Sequence, residues 1–275
     1  MNFVDAHVHV WTENTANYPL SRNYSEADVR PLTFLLGDIL KHAEPYGITG
    51  IVLVQMSCYG YDNSYMLDVM KEYEGIFSGI GIVDSNSKRP DLAMCKLINE
   101  GVRGFRIYPL DVCRGWLKSS GYERMFHCAE DQQVALCPLI DIEYLPALKG
   151  MCERFPKTTI VVDHLCRIGN RGNIEQEHIE QLCSLADYPN TYVKVSAFYA
   201  LGQKSSPYKD LSFLIERVYK AFGPERLMWG SDCPYQVAGG HNYGDSFALI
   251  DSHLDFLSLS DRNHILRNTA KKIFF

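Results

Sequence analysis

The sequence predicts an α/β fold, a single (β/α)8 TIM barrel spanning 1–275, and three observations carry that prediction. Eight short apolar runs are rich in Val and Ile and bounded by Gly, Pro, Asn or Asp, as buried parallel strands are. Amphipathic segments of helical period lie between them. After the first run the strands recur about every 25–36 residues, the length a βα unit needs. Eight such units close into a barrel more readily than they open into a doubly wound sheet. No GxGxxG follows any of the runs, so the dinucleotide-binding alternative lacks its fingerprint.

The first strand is expected over 2–7 (NFVDAH). The polar stretch 12–30 carries Pro19 and no clear period. It is expected to be a long first loop across the C-terminal mouth, because loops beyond about 12–15 residues are uncommon unless functional. Over 31–46 Leu32, Leu35, Leu36, Ile39, Leu40 and Ala43 make one helical stripe, with Pro31 suited to the first turn and Gly47 to the stop. Further strands are expected over 51–55, 79–83, 104–108, 134–139 and 159–163. Asn173 followed by Gln176 resembles a capping box ahead of Ile179, Leu182 and Leu185. Strand 192–196 leads to a helix over 206–222, striped by Leu211, Leu214, Ile215, Val218 and Phe222 and ended by Gly223-Pro224. The last strand is expected over 227–231.

Composition narrows the function classes. The chain is 46% hydrophobic and 22% charged, which is ordinary for a globular protein of 275 residues. Its 27 Lys+Arg against 33 Asp+Glu give a net charge of −6 with no basic block, which argues against a nucleic-acid binder. No run approaches the ~18 apolar residues of a membrane helix, and MNFVDAHVHVW lacks the basic head and apolar stretch of a signal peptide. Nine cysteines stand singly without a CxxC, as in a reduced, cytoplasmic chain. The expected partner is a small molecule; oligomeric state is not readable.

Barrel active sites sit at the C-terminal strand ends, and five of the strands carry unusual polar residues near theirs. The first reads Asp5-Ala6-His7-Val8-His9-Val10. Strict alternation puts Asp5, His7 and His9 on one face, so both imidazoles look into the mouth. The eighth strand ends at Ser231-Asp232-Cys233-Pro234, next to strand 1 in a closed barrel. Asp232 would then reach His7 and His9, and two imidazoles with a carboxylate make a plausible cation site. Chance exposure of the histidines, or a capping role for Asp232, are the blander alternatives. Strand 6 ends at Asp163-His164, one of which should face the mouth while the other supports it. Arg106 shares a face with Tyr108 on strand 4, and a buried Arg needs a carboxylate, from the protein or from a substrate. Lys194 shares a face with Ser196 on strand 7, either toward substrate or in a structural ion pair. His42, His127, His178, His253 and His264 fall in helical segments and read as surface or packing residues, while His241 follows strand 8. There is no GxSxG and no Walker loop.

The carriers of a family resemblance are DAHVHVW, GITGIVLVQ, YGYDNSYML, GVRGFRIY, VVDHL, YVKVSAF, RLMWGSDCPY and the closing ILRNTAKKIFF. On these the chain resembles the amidohydrolase-related metal-dependent hydrolases, in particular the branch of sugar lactonases and 2-pyrone-4,6-dicarboxylate lactonase. The resemblance implies a distorted barrel with its site at His7, His9, His164 and Asp232. In metal-containing relatives the strand-1 histidines, a strand-5 histidine and the strand-8 aspartate hold the cation. Here strand 5 reads Val134-Ala135-Leu136-Cys137-Pro138-Leu139, without that histidine. Any ion, zinc before others, would rest on His7, His9 and Asp232 alone, and a metal-independent enzyme is equally compatible.

The expected activity is hydrolysis of a lactone by water activated at Asp232. His7, His9 and His164, or a bound Zn2+, would stabilise the carbonyl oxygen, and Arg106, Tyr108 and Lys194 would contact an acidic or sugar-derived substrate. Arg103, Arg114, Arg167 and Arg171 are further cations near strand ends or loops. Two rivals are a metal-dependent decarboxylase on the same barrel and a barrel that only binds.

Overall fold

A computed structural model describes residues 2–73, 75–109 and 115–275. Its strands are β1 (Phe3–Val8), β2 (Ile48–Val54), β3 (Phe77–Gly81), β4 (Val102–Ile107), β5 (Ala135–Pro138), β6 (Thr159–Val162), β7 (Thr191–Ser196) and β8 (Leu227–Gly230). They pair in parallel and in sequence order. The ring closes above the last ladder: Val8 bridges Cys233, the Asp232 N–H donates to the His7 carbonyl at 2.8 Å, and the His9 N–H donates to the Cys233 carbonyl at 2.9 Å. Gly230 makes this closure possible. A Cβ there would lie 2.7 Å from His7 Cβ and 2.9 Å from its backbone nitrogen. The expected barrel forms, with strand ends moved by at most three residues.

Strand alternation sorts the two apolar layers. Ile51, Leu53, Phe105, Ile107, Val193 and Val195 face outward into the helix layer, and Val52, Val54, Ile80, Cys137, Val161 and Met228 fill the interior. Each such fully buried aliphatic contributes about 1.5–3 kcal/mol. The C-terminal helix Thr269–Phe274 joins Ala270 and Phe274 to the interior cluster. Gly104 leaves room for the Phe274 ring, which a Cβ would approach to 3.2 Å. One end of the barrel interior is thus apolar, and polar residues collect at the other.

Four local expectations change. The helix expected over 31–46 runs only from Leu36 to Ala43, with a short turn Glu44–Tyr46 before Gly47 in the left-handed region. Pro31 lies outside it because Phe34 pairs with Trp11, whose Nε1–H donates to the Pro31 carbonyl. Leu32 and Leu35 are consequently exposed. The helix expected over 206–222 is α-helical from Ser212 to Phe222, and Leu211, Leu214, Ile215, Val218 and Phe222 are buried as the stripe requires. Asn173 caps nothing: the following helix starts at Gln176 with Glu175 at its N-cap, so Gln176 is the first helical residue, two positions too early for a box. The 12–30 segment packs along the rim over the β2 end, with the Ser21 N–H on the Cys58 carbonyl and the Tyr24 hydroxyl on Ser57 Oγ. None of its residues lines the mouth cavity, so it flanks the mouth rather than covering it.

Candidate active site

The site is built from departures from regular geometry. Register shifts in the β1–β2 pairing between Asp5 and Val8 break the alternation that would put Asp5 beside His7. Asp5 turns instead to the β1–β8 seam, accepting from the Ser231 N–H at 2.8 Å and the Tyr243 hydroxyl at 2.8 Å. Burial pushes its carboxyl up to about 6. His7 and His9 both turn inward, where their rings meet edge to face at 5.0 Å.

After β6 the chain makes a left-handed turn. His164, Leu165, Cys166 and Arg167 all have φ between 52° and 54°. Non-glycine residues there cost about 1–2 kcal/mol each, so the surrounding packing must enforce the turn. With about three residues per turn, positions three apart share a side. This carries both His164 and Arg167 to the mouth, while Asp163 stays fully buried below. Ala197, left-handed at φ 57°, similarly turns the chain after β7 and delivers Tyr199.

Two layers result. In the lower, buried one, Lys194 Nζ lies 3.2 Å from Asp163 Oδ1 and 3.1 Å from His7 Nδ1. Arg106 Nη2 donates to Asp163 Oδ2 at 3.1 Å and faces His7 Nε2 at 2.7 Å. Arg106 and Lys194 only donate, one toward each ring nitrogen of His7, and a neutral imidazole can accept at only one of them; the shorter contact makes Nε2 that acceptor. Lys194, His7 and Arg106 outweigh burial and hold the Asp163 carboxyl well below the usual range. In the upper layer Asp232 is ringed: His9 Nε2 is 3.2 Å and His7 Nε2 3.5 Å from Oδ1, with the Tyr199 hydroxyl donating to Oδ2 at 2.7 Å. His164 Nε2 stands 3.9 Å from Oδ2, and its Nδ1 meets Ser196 Oγ at 2.8 Å. Burial alone would raise the Asp232 pKa. The imidazoles, His164 first, and the hydrogen bond with His9 hold it far below the usual range.

Burial lowers the pKa of His7 and His164, with the Lys194 charge adding to the effect at His7. Their folded values lie below the ordinary 6.5, so the unfolded chain takes up more protons and stability falls as pH drops below about 6.5. Asp163 and Asp232, depressed in the fold, act in the same direction at lower pH. Asp5 opposes them, since its contribution is lost as pH rises from about 4 through about 6. Two imidazoles outweigh one carboxyl. Urea unfolding at pH 7.5 and pH 5 should therefore show lower stability at pH 5, by up to about 1.4 kcal/mol per pH unit for each imidazole.

Above this floor opens a cavity of about 440 Å³ whose lining includes His9, Arg106, His164, Arg167, Asn170, Tyr199, Lys204, Asp232 and Tyr235. His7, His9, His164 and Asp232 are thus brought together. Lys194 is fully buried beneath His7, in an ion pair, and does not line the mouth. Tyr108 borders a narrow void beside Arg106 and Tyr122 instead of the mouth. His241 bonds the Tyr208 hydroxyl and is not in the lining, and Arg114 lies outside the described residues. Tyr199, Tyr235, Asn170 and Lys204 were not expected. Their only signal is a polar or aromatic residue in the loop just past a strand end.

Two triads offer ligand atoms within 4.8 Å of one another: His7, His9 and Asp232, and His7, Asp163 and His164. His9 suits a cation, since its Nδ1–H is fixed on the Val54 carbonyl at 2.7 Å and Nε2 is left facing Asp232. His7 does not, because the Arg106 guanidinium holds its Nε2, and β5 carries no histidine to add a further imidazole. With neutral imidazoles, Arg106 and Lys194 already balance Asp163 and Asp232. The residues present therefore fit a tightly held divalent ion poorly.

An eight-stranded parallel barrel with imidazoles and a carboxylate converging at its C-terminal mouth defines the class of the barrel hydrolases. The chain belongs to the amidohydrolase family, whose model matches residues 4–275. It is 27% identical to an L-fucono-1,5-lactonase of Burkholderia ambifaria, over 97% of this chain and 93% of that protein. It is also 27% identical to a 4-sulfomuconolactone hydrolase of Rhizobium radiobacter, over 84% of this chain and 75% of the relative. A 2-pyrone-4,6-dicarboxylate hydrolase of Comamonas testosteroni is 27% identical over 90% and 81%. Among solved structures, an amidohydrolase from Burkholderia multivorans with bound zinc aligns with a TM-score of 0.80 at 19% identity, covering 99% of both chains. A 5-carboxyvanillate decarboxylase of Sphingomonas paucimobilis aligns at 0.73 and 13%, covering 99% and 98%. Likeness at these two identities is one of fold alone. Among the described residues no helix is long and apolar enough to cross a membrane.

Proposed function

We propose that this chain hydrolyses the ring ester of a small lactone, with Asp232 as the general base. The observation that carries the reading is the setting of Asp232: a carboxylate at the floor of an open cavity, facing three imidazoles and a tyrosine hydroxyl. The three relatives, each named for a lactone or pyrone substrate, support the same reaction class.

In this mechanism Tyr199 occupies Oδ2 of Asp232, which leaves Oδ1 for the attacking water. Water loses its proton to Oδ1 as its oxygen adds to the ring carbonyl. Negative charge builds on the carbonyl oxygen, where His164 stands to stabilise it, its Nδ1 accepting from the Ser196 hydroxyl and its Nε2–H free to donate. Collapse of the tetrahedral intermediate breaks the ring C–O bond, and protonated Asp232 returns its proton to the departing oxygen. Its neighbours keep Asp232 ionised through the working range, the state in which it can accept the proton of water.

The substrate is an acidic lactone. Arg167 and Lys204 are the cations on the cavity lining besides Arg106, whose guanidinium is engaged by Asp163 and His7. The role of anion clamp therefore passes from Arg106 to the rim. No step needs a metal. An ion, zinc as in the relative from Burkholderia multivorans, would have to displace Arg106 from His7 and would bind weakly. Chelation followed by elemental analysis should leave far less than one metal per chain, with hydrolysis within tenfold of the untreated enzyme. Stoichiometric metal that resists chelators, or activity that vanishes with it, contradicts this.

A further inference from the structure

We infer that Asp141 is a positioning residue that sets the specificity of the mouth, by holding Arg167 and Asn170 in the wall between it and a neighbouring groove. The inference rests on the acidic-lactone reading. Asp141 stands at the N-cap of the short helical turn Ile142–Tyr144, where an aspartate ordinarily accepts from the first backbone N–H groups. It makes no such bond. Its Oδ1 instead takes the Asn170 side-chain N–H at 3.1 Å and faces Arg167 Nε at 3.3 Å. One oxygen thus tethers two side chains that belong to the loop after β6.

Arg167 and Asn170 line both the mouth and a second groove of about 510 Å³ bordered by Glu143, Arg171 and His178. Asp141 lines only the groove, so it acts on the mouth through its two partners. Arg167 is tethered by its Nε edge, which leaves the two Nη groups, the fork that grips a carboxylate, directed elsewhere. Lys204 lines the mouth but not the groove and is independent of this tether. Without Asp141 the half-exposed Arg167 is free to swing into the groove, and the mouth loses an oriented anion receptor. A competing effect has the opposite sign, because deleting a carboxylate makes the rim more positive and favours anions.

Two variants separate position from charge. Asp141→Asn keeps the acceptor oxygen and removes the charge, whereas Asp141→Ala removes both. The probe is citrate, titrated calorimetrically into the full chain, so the readout needs no turnover. Asp141→Ala should weaken citrate by about three- to tenfold, Asp141→Asn should not weaken it, and Asp141→Ala should add nothing to Arg167→Ala. In turnover, KM for a carboxylate-bearing lactone should rise in Asp141→Ala with kcat moving less, and KM for an uncharged lactone should not follow. Unchanged or tighter citrate binding in Asp141→Ala, equal weakening in both variants, or full additivity with Arg167→Ala overturns the inference. Citrate that fails to bind the wild-type chain overturns it together with the acidic-substrate reading. Citrate binding with the expected pattern but no hydrolysis of any lactone overturns the proposed reaction and leaves the role of Asp141 standing.

Discussion

Asp232→Asn is expected to lower lactone hydrolysis by about 10²–10⁴-fold while the protein stays folded, since general-base assistance is usually worth that much. Asparagine keeps the shape of the side chain and can still meet Tyr199 and His9. It cannot accept the water proton. The loss should appear in kcat with KM little changed, because the binding contacts proposed at the rim, Arg167 and Lys204, are untouched. Steady-state kinetics on an acidic lactone, with circular dichroism to establish folding, checks this. Near-full activity in Asp232→Asn means that another group takes the proton.

Lys194→Met should have the largest effect on stability. The ammonium is completely enclosed and lies against Asp163 and His7, with the Phe274 ring 5.5 Å away on its other side. Methionine fills similar volume but leaves Asp163 with only Arg106 as a full counter-charge. Breaking a buried pair from one side costs about 3–5 kcal/mol, a large part of the stability of an ordinary domain. Urea denaturation should show that loss, and Lys194→Met/Asp163→Asn should recover part of it because the uncompensated carboxylate is gone. A double variant no more stable than the single one would mean that lost packing, and not charge, carries the effect.

The barrel was legible because its signals are periodic. The strands recur as short segments rich in Val, Ile and other apolar residues between helical stripes, and the Leu211 to Phe222 stripe fixes its helix. His7, His9 and Asp232 were legible because strand 1 must neighbour strand 8 in a closed barrel. Illegible features lie where the backbone leaves regular geometry. Strict alternation carried Asp5 into the mouth, whereas a register shift turns it to Tyr243. No pattern announces four successive left-handed residues without a glycine, so the pairing of His164 with Arg167 at the mouth could not be foreseen. Lys194 does take an inward face, but inward is not upward. Depth along the barrel axis decides whether a cation meets substrate or Asp163, and a period of two residues says nothing about depth.

The capping box at Asn173 failed for a related reason. A motif of two residue types three apart is common by chance, and a helix start two residues further on removes its meaning. Tyr199 shows the converse: a residue with no motif becomes central because Ala197 adopts a left-handed turn beneath it.

Turnover of a panel of acidic and neutral lactones in ¹⁸O-labelled water tests the central claim most directly. Hydrolysis with attack at the carbonyl predicts a ring-opened hydroxy acid carrying one ¹⁸O in its new carboxylate, no carbon dioxide, and loss of the labelled product in Asp232→Asn. Carbon dioxide release, label in the hydroxyl, or no opening of any lactone by the wild-type chain would contradict it.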